Sequence, residues 1–401
     1  MSLDLEPGTR PARFADRMST TFTDALRPAA PRRSRLWAFP ATPQHRWLMR
    51  LGFAVPVLGV GSLAAAAGPQ DVPNAMLLER AATLGLGSAD LGLIGQLYPP
   101  LTTVLAILVH PLGAVGLSFI GALVAGVLLQ KMIEAMVQRR LATSTIVAAV
   151  IALAANPLFL YTATQNLPAF LALALFAMGM GDLWRFAIWH DTQSGFRAGI
   201  LLMLAALSDG AAILYVVVAT LTAPLLALGR RNERGTSLAQ TVVVLFPSLS
   251  AFGSVALLDL LFTGDPLGSI GQLVSFDPAR LLIFPYLVTT PAGLLVIAPV
   301  LGAWALALVV RRPGAVVISV LLFGSTIGGY LVGLVPAQSA GNSFILMIAV
   351  AAAIMPAAGR IRDTVALNLL LLLQVGVAWE SAMNREVVLA WMHSLAAGAA
   401  G

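Results

Sequence analysis

Long apolar runs recur along almost the whole sequence, from Trp47–Ala67 near its start to Val365–Trp379 near its end, and they constrain the fold most. They are continuous and not alternating, and several reach the roughly 20 residues that a helix needs to cross a hydrocarbon layer. No soluble interior could hold them: 58% of the 401 residues are hydrophobic and 10% charged, where ordinary soluble chains carry about 25% charge. Backbone polar groups in lipid must be satisfied within helices or closed barrels. Long unalternating runs exclude the barrel. The expected class is therefore an all-α, polytopic transmembrane helical bundle, with about eleven spans.

The net charge of +6 does not point to nucleic acid, because arginines gather at the ends of apolar runs. There they fix orientation against the membrane and its anionic lipids. A single lysine, Lys131, amid abundant Ala and Arg suggests a bacterium with a GC-rich genome and an inner-membrane location. The absence of cysteine excludes disulfides, thiolate metal sites and cysteine nucleophiles. His45, His110, His190 and His393 are too scattered to form a metal site. The first apolar run begins near Leu48, too far in for an ordinary cleaved signal peptide, so it reads as a retained span.

Residues 1–46 are rich in Arg and Pro and poor in large apolar groups. They are expected to form a basic, disordered cytoplasmic arm, able to lie on lipid headgroups or to reach a protein partner. Residues 47–380 form the transmembrane domain, and 381–401 a short amphipathic tail on the opposite side from the N-terminus. Two segments are expected outside, 68–97 and 263–282. In the first, Asn74–Leu84 reads as a surface helix, with Ala75, Leu77, Leu78, Ala81, Ala82 and Leu84 on its greasy side and Glu79 and Arg80 toward water. Tyr98-Pro99-Pro100-Leu101 then opens the second span, since a helix's first turn has no partner for the N–H that proline lacks.

Three stretches leave alternatives open. His110-Pro111-Leu112-Gly113 reads as a tight turn, and a full reversal there would place the basic loop 131–141 outside, whereas its charge would place it inside. Asp182–Arg197 has the composition of an interfacial helix and loop. Ala198–Leu228 is too long for one straight span and is broken at Ser208-Asp209-Gly210, which fits a kinked span or two short helices.

The order of these parts resembles the GT-C superfamily of polyprenyl-phosphate-sugar-dependent integral membrane glycosyltransferases. The residues that carry the resemblance are the acids between Asp71 and Asp90, Tyr98-Pro99-Pro100-Leu101, Ala155-Asn156-Pro157-Leu158, the break around Ser208-Asp209-Gly210, and Gly264-Asp265-Pro266-Leu267, over about residues 47 to 270. The resemblance implies transfer of a sugar from a polyprenyl-phosphate-linked donor at the extracytoplasmic face. Such chemistry needs an acid to take the acceptor's proton and a cation or metal to offset charge on the departing phosphate. Asp71, Asp90 and Glu79 are the catalytic candidates, and Arg80, Tyr98, Asp209, Asp265 and Arg280 the substrate-binding ones. A divalent metal remains open as a cofactor, without assigned protein ligands. The lipid-linked donor, membrane lipids and a protein met by the N-terminal arm are the expected partners.

Two other classes fit the same residues. A noncatalytic membrane subunit suits the sparse polar inventory, and a secondary transporter suits helices broken near Asp209 and Pro291.

Overall fold

The structure, a computed structural model, describes residues 38–67, 72–84, 98–189, 191–226, 236–309, 313–336, 339–354 and 361–400. These residues are 87% helical and contain no strand. Most of the N-terminal arm, with Asp71, Asp90 and His190, lies outside them.

The helices are α1 Pro43–Ala66, α2 Pro73–Leu84, α3 Pro100–Val109, α4 Gly113–Gln138, α5 Thr143–Ala154, α6 Pro157–Gln165, α7 Leu167–Trp189 and α8 Thr192–Ala206. They continue with α9 Ala211–Leu226, α10 Thr236–Thr263, α11 Ile283–Thr289, α12 Pro291–Val309, α13 Pro313–Leu331, α14 Ala340–Ile354, α15 Ile361–Met383 and α16 Glu386–Ala400. Among the described residues, six helical stretches are long and apolar enough to cross a membrane. They are Pro43–Ala66, Pro100–Gln138, Leu167–Ala187, Thr241–Thr263, Pro291–Leu308 and Ile361–Met383. A seventh follows if α5 and α6, bent by 55° at Asn156, form one span.

The count is lower than the sequence suggests for local reasons. His110–Leu112 forms a 3-10 turn closed by Gly113 at φ 58°, yet helix resumes at once, so Pro100–Gln138 is one helical stretch of 39 residues. Elsewhere expected spans come out as shorter apolar helices, Ala211–Ala223, Pro278–Thr289 and Val316–Leu331. Of the alternatives open in the sequence for Ala198–Leu228, the described part, to residue 226, forms two helices, α8 and α9. The charged stretch from Asp182 is no separate interfacial helix: α7 continues to Trp189 because Arg185 and Arg197 pair with Asp182, and Asp191 then caps α8.

Helix α7 is the centre of the bundle, with 67% of its apolar window buried, against 17% for α10. The outer helices turn large apolar side chains outward, as Phe246, Leu249 and Leu261 do on α10. Such a surface suits lipid and not water. Small residues let inner helices approach closely: a Cβ built on Gly121 of α4 would lie 1.9 Å from the Ala163 carbonyl oxygen of α6. The C-terminal segment is a helix whose Val388 and Trp391 are buried, Trp391 meeting Tyr161 edge-on at 5.6 Å.

The 23 residues of α7 rise about 34 Å at 1.5 Å each, close to the roughly 30 Å of a hydrocarbon core. Polar groups gather at its two ends. At its start, the buried Asn74 of α2 donates to the Thr164 carbonyl at 2.9 Å and accepts from the Leu167 amide at 2.8 Å. The apolar stripe Leu77 and Ala81 on α2 joins the main core, so this helix docks on protein as well as bordering the surface. Near its other end, Asp182 takes a bidentate pair from Arg197 at 2.6 and 2.9 Å, and Arg185 at 3.1 Å. Arg185 also reaches Gln138 at 2.9 Å. The expected loop 131–141 is helical as far as Gln138, where α4 ends; Gln130 of α4 donates to the Phe39 carbonyl and accepts from Arg50, so the turn at 139–142 lies at the same end as the start of α1.

The cysteine-free chain makes this arrangement checkable by single-cysteine labelling in sealed vesicles. Thr42→Cys and Arg140→Cys are expected to react from one side and Gln272→Cys from the other. Gly121→Ala, which forces α4 away from α6, is expected to destabilise the bundle by about 1–3 kcal/mol, read as a lower melting temperature in detergent.

Candidate functional site

The break between α8 and α9 sets free three consecutive carbonyls, those of Ala206, Leu207 and Ser208. A helix end leaves such groups without intrahelical partners, and in a dry interior each one unmet costs stability. The start of α3 meets all three. The Tyr98 hydroxyl donates to Ala206 at 2.8 Å, the Leu101 amide to Leu207 at 3.0 Å, and the Thr102 hydroxyl to Ser208 at 3.1 Å. Leu101 carries one of the orphan amides of α3's own first turn, so two helix ends satisfy each other. Tyr98 and Thr102 are buried.

Asp209 sits at the centre of this joint. Its Oδ1 accepts from the Ala211 amide at 2.9 Å, which caps α9, and the side chain is half-buried. Its charge acts on the hydroxyls of Tyr98 and Tyr215. Tyr98 itself lies just outside the span that begins at Pro100, and burial first, then Asp209, hold its hydroxyl above the usual phenol range. Tyr215 is buried on α9, beside Thr326 of α13 and Asn342 of α14.

The joint continues to a neighbouring loop. A Cβ on Gly210 would lie 4.0 Å from Tyr98, 3.2 Å from Leu273 and 3.4 Å from Leu334. The Ser275 amide donates to the Val332 carbonyl at 2.9 Å, and Arg280 donates to the carbonyls of Ser275 at 2.7 Å and Tyr330 at 3.4 Å.

The structure thus brings together Arg80, Tyr98 and Asp209, with Arg280 one loop away. Arg80 is exposed but donates to the Tyr98 carbonyl at 3.2 Å, a main-chain group. Glu79 is exposed on α2, and Asp265 is exposed, its carboxylate accepting from the Leu267 amide at 3.0 Å to form the turn. Neither belongs to the Asp209 cluster in the contacts described. Asp259, buried, closes the same turn by accepting from the Ser269 amide and hydroxyl at 3.0 and 2.7 Å. Asp71 and Asp90 lie outside the described residues.

Sequence reasoning missed Tyr215, which reads as one more apolar-run aromatic, and Arg385, which reads as part of the tail. The visible signal for Arg385 is a lone arginine between two apolar helices, α15 and α16. Among the described residues, no three of His, Asp or Glu converge as a metal site would need.

No family model matches the chain, and no curated protein or solved structure matches it either. The functional reading therefore rests on the joint itself.

Tyr98→Phe removes the partner of the Ala206 carbonyl while keeping the ring. It is expected to lower stability by about 1–3 kcal/mol in detergent unfolding, whereas Glu79→Gln is expected to leave stability unchanged.

Proposed function

We propose that this chain is an integral membrane glycosyltransferase of the GT-C type, taking sugar from a polyprenyl-phosphate-linked donor at the outer face of a bacterial inner membrane. In this reading the end of the bundle with Arg50, Lys131, Arg139 and Arg185 is cytoplasmic, by the excess of positive charge there. The opposite end, with the α3–α8 joint, is extracytoplasmic, and the shorter apolar helices complete the crossings toward about eleven.

The observation that carries the reading is the half-buried Asp209 carboxylate at a helix break, whose charge acts on two tyrosine hydroxyls, at the end of the bundle remote from the basic belt. A carboxylate in such surroundings suits proton removal from an acceptor hydroxyl as that oxygen attacks the sugar's C1 and the lipid phosphate departs. Asp71 and Asp90 share this role as the expected bases of the preceding loop, with Arg80 and Arg280 near the departing phosphate.

One observation favours a noncatalytic subunit instead. Arg80, Asp265 and Arg280 all hold main-chain groups, which is the work of a framework.

Sugar transfer from a polyprenyl-phosphate donor by membranes containing the full chain separates the two. Asp209→Asn, or Asp71→Asn with Asp90→Asn, is expected to slow transfer by about 10²-fold or more while leaving membrane insertion intact. Transfer at the parent rate in both variants would remove the enzymatic reading, and unchanged co-purification of a partner protein would then favour the subunit.

A further inference from the structure

A cavity of about 440 Å³ lies among α11, α12, α13, α14 and the joint of α15 with α16. This is within the range of about 300–1,000 Å³ usual for small-molecule sites. Leu287, Val296, Phe323 and Ile327 make much of its wall apolar. Leu282 and Tyr286 line it and are 68% and 39% exposed, so its mouth opens on the outer surface among the apolar side chains of α11. A molecule within the bilayer could enter sideways through that mouth.

The wall also carries polar groups. Among the described residues that line it, Arg385, at the α15–α16 joint, is the only charged one, and Ser339, Ser343 and Asn384 line the cavity with it. Arg385 is half-buried, and burial lowers its pKa while Tyr286 acts in the opposite sense. A guanidinium stays protonated at any ordinary pH and carries five N–H donors, so Arg385 can hold an anion in the cavity in addition to the interaction it already makes.

We propose that this cavity binds a phosphate-bearing amphiphile, with the phosphate against Arg385 and the hydrocarbon tail along Leu287, Val296 and Phe323. Arginine and phosphate form strong, forked, charge-assisted hydrogen bonds, and the serine hydroxyls and Asn384 amide supply further donors for the remaining phosphate oxygens. The apolar wall argues against a free anion as the natural occupant, because Leu287, Val296, Phe323 and Ile327 would then face nothing they can pack against. Two sources carry the required chemistry, a membrane phospholipid and a prenyl phosphate. The site stands whether or not the chain transfers sugar.

Binding is measured on the full chain in detergent by native mass spectrometry, with geranylgeranyl phosphate, phosphatidylglycerol and the neutral geranylgeraniol as probes. At least one phosphate amphiphile is expected to bind about tenfold or more tightly than geranylgeraniol, and the tighter of the two names the source. Arg385→Gln is expected to weaken that binding about tenfold. Ser343→Trp, which fills the cavity without touching the charge, is expected to weaken it too and serves if Arg385→Gln does not fold. Equal binding of the alcohol and the phosphates, or unchanged affinity in whichever variants fold, would overturn the proposal.

Discussion

Three carbonyls at the end of α8 govern the arrangement of the bundle's upper half. In a buried joint such as this no water takes over from a missing hydrogen-bond partner, so a helix can stop there only where protein supplies donors. Tyr98, Leu101 and Thr102 supply them from one turn of chain, which locks α3 to the α8–α9 break. The same lock brings Asp209 beside Tyr98 and sets Gly210 against Leu273 and Leu334. Function at this end, whatever its chemistry, has a rigid floor built from helix ends.

The other end is held by charge. Asp182 and Glu134 are buried, and each stays tolerable because arginine or lysine lies within reach: Arg197 and Arg185 for the first, Lys131 at 3.3 Å for the second. Removing one member of such a group costs more than the pair contributes, since the survivor is left charged in a poorly solvated place. The network therefore fixes the relative placement of α4, α7 and α8 more than it adds stability. It also ties the loop after α4 to the start of α1, which settles their common side without recourse to charge counting.

Much of this was legible in the sequence. The apolar runs announce a membrane bundle, the Ser208-Asp209-Gly210 break falls where the helices end, and Asn74–Leu84 is a helix with Glu79 and Arg80 exposed. What was not legible is pairing across distance. Hydropathy assigns Leu77 and Ala81 equally well to lipid or to protein, and only Asn74's two bonds to the α6–α7 joint decide for protein. Charge makes Arg80 and Arg280 look like ligand groups, yet their bonds go to the carbonyls of Tyr98, Ser275 and Tyr330. A long apolar stretch likewise hides whether His110-Pro111 reverses the chain, because a 3-10 turn and a true loop have the same composition.

The joint and the cavity are neighbours, which gives their separate polar groups a common logic. Thr326 lines the cavity and lies beside Tyr215, on which Asp209 also acts. Tyr330 lines it too, and its carbonyl receives Arg280 from the loop that borders Gly210. Helix α13 thus borders the cavity with Phe323, Thr326, Ile327 and Tyr330 and also packs on α9, the helix that Asp209 caps. Helices that pack this closely transmit a shift in one to the other, since a Cβ on Gly329 of α13 would lie 2.9 Å from Leu214 of α9.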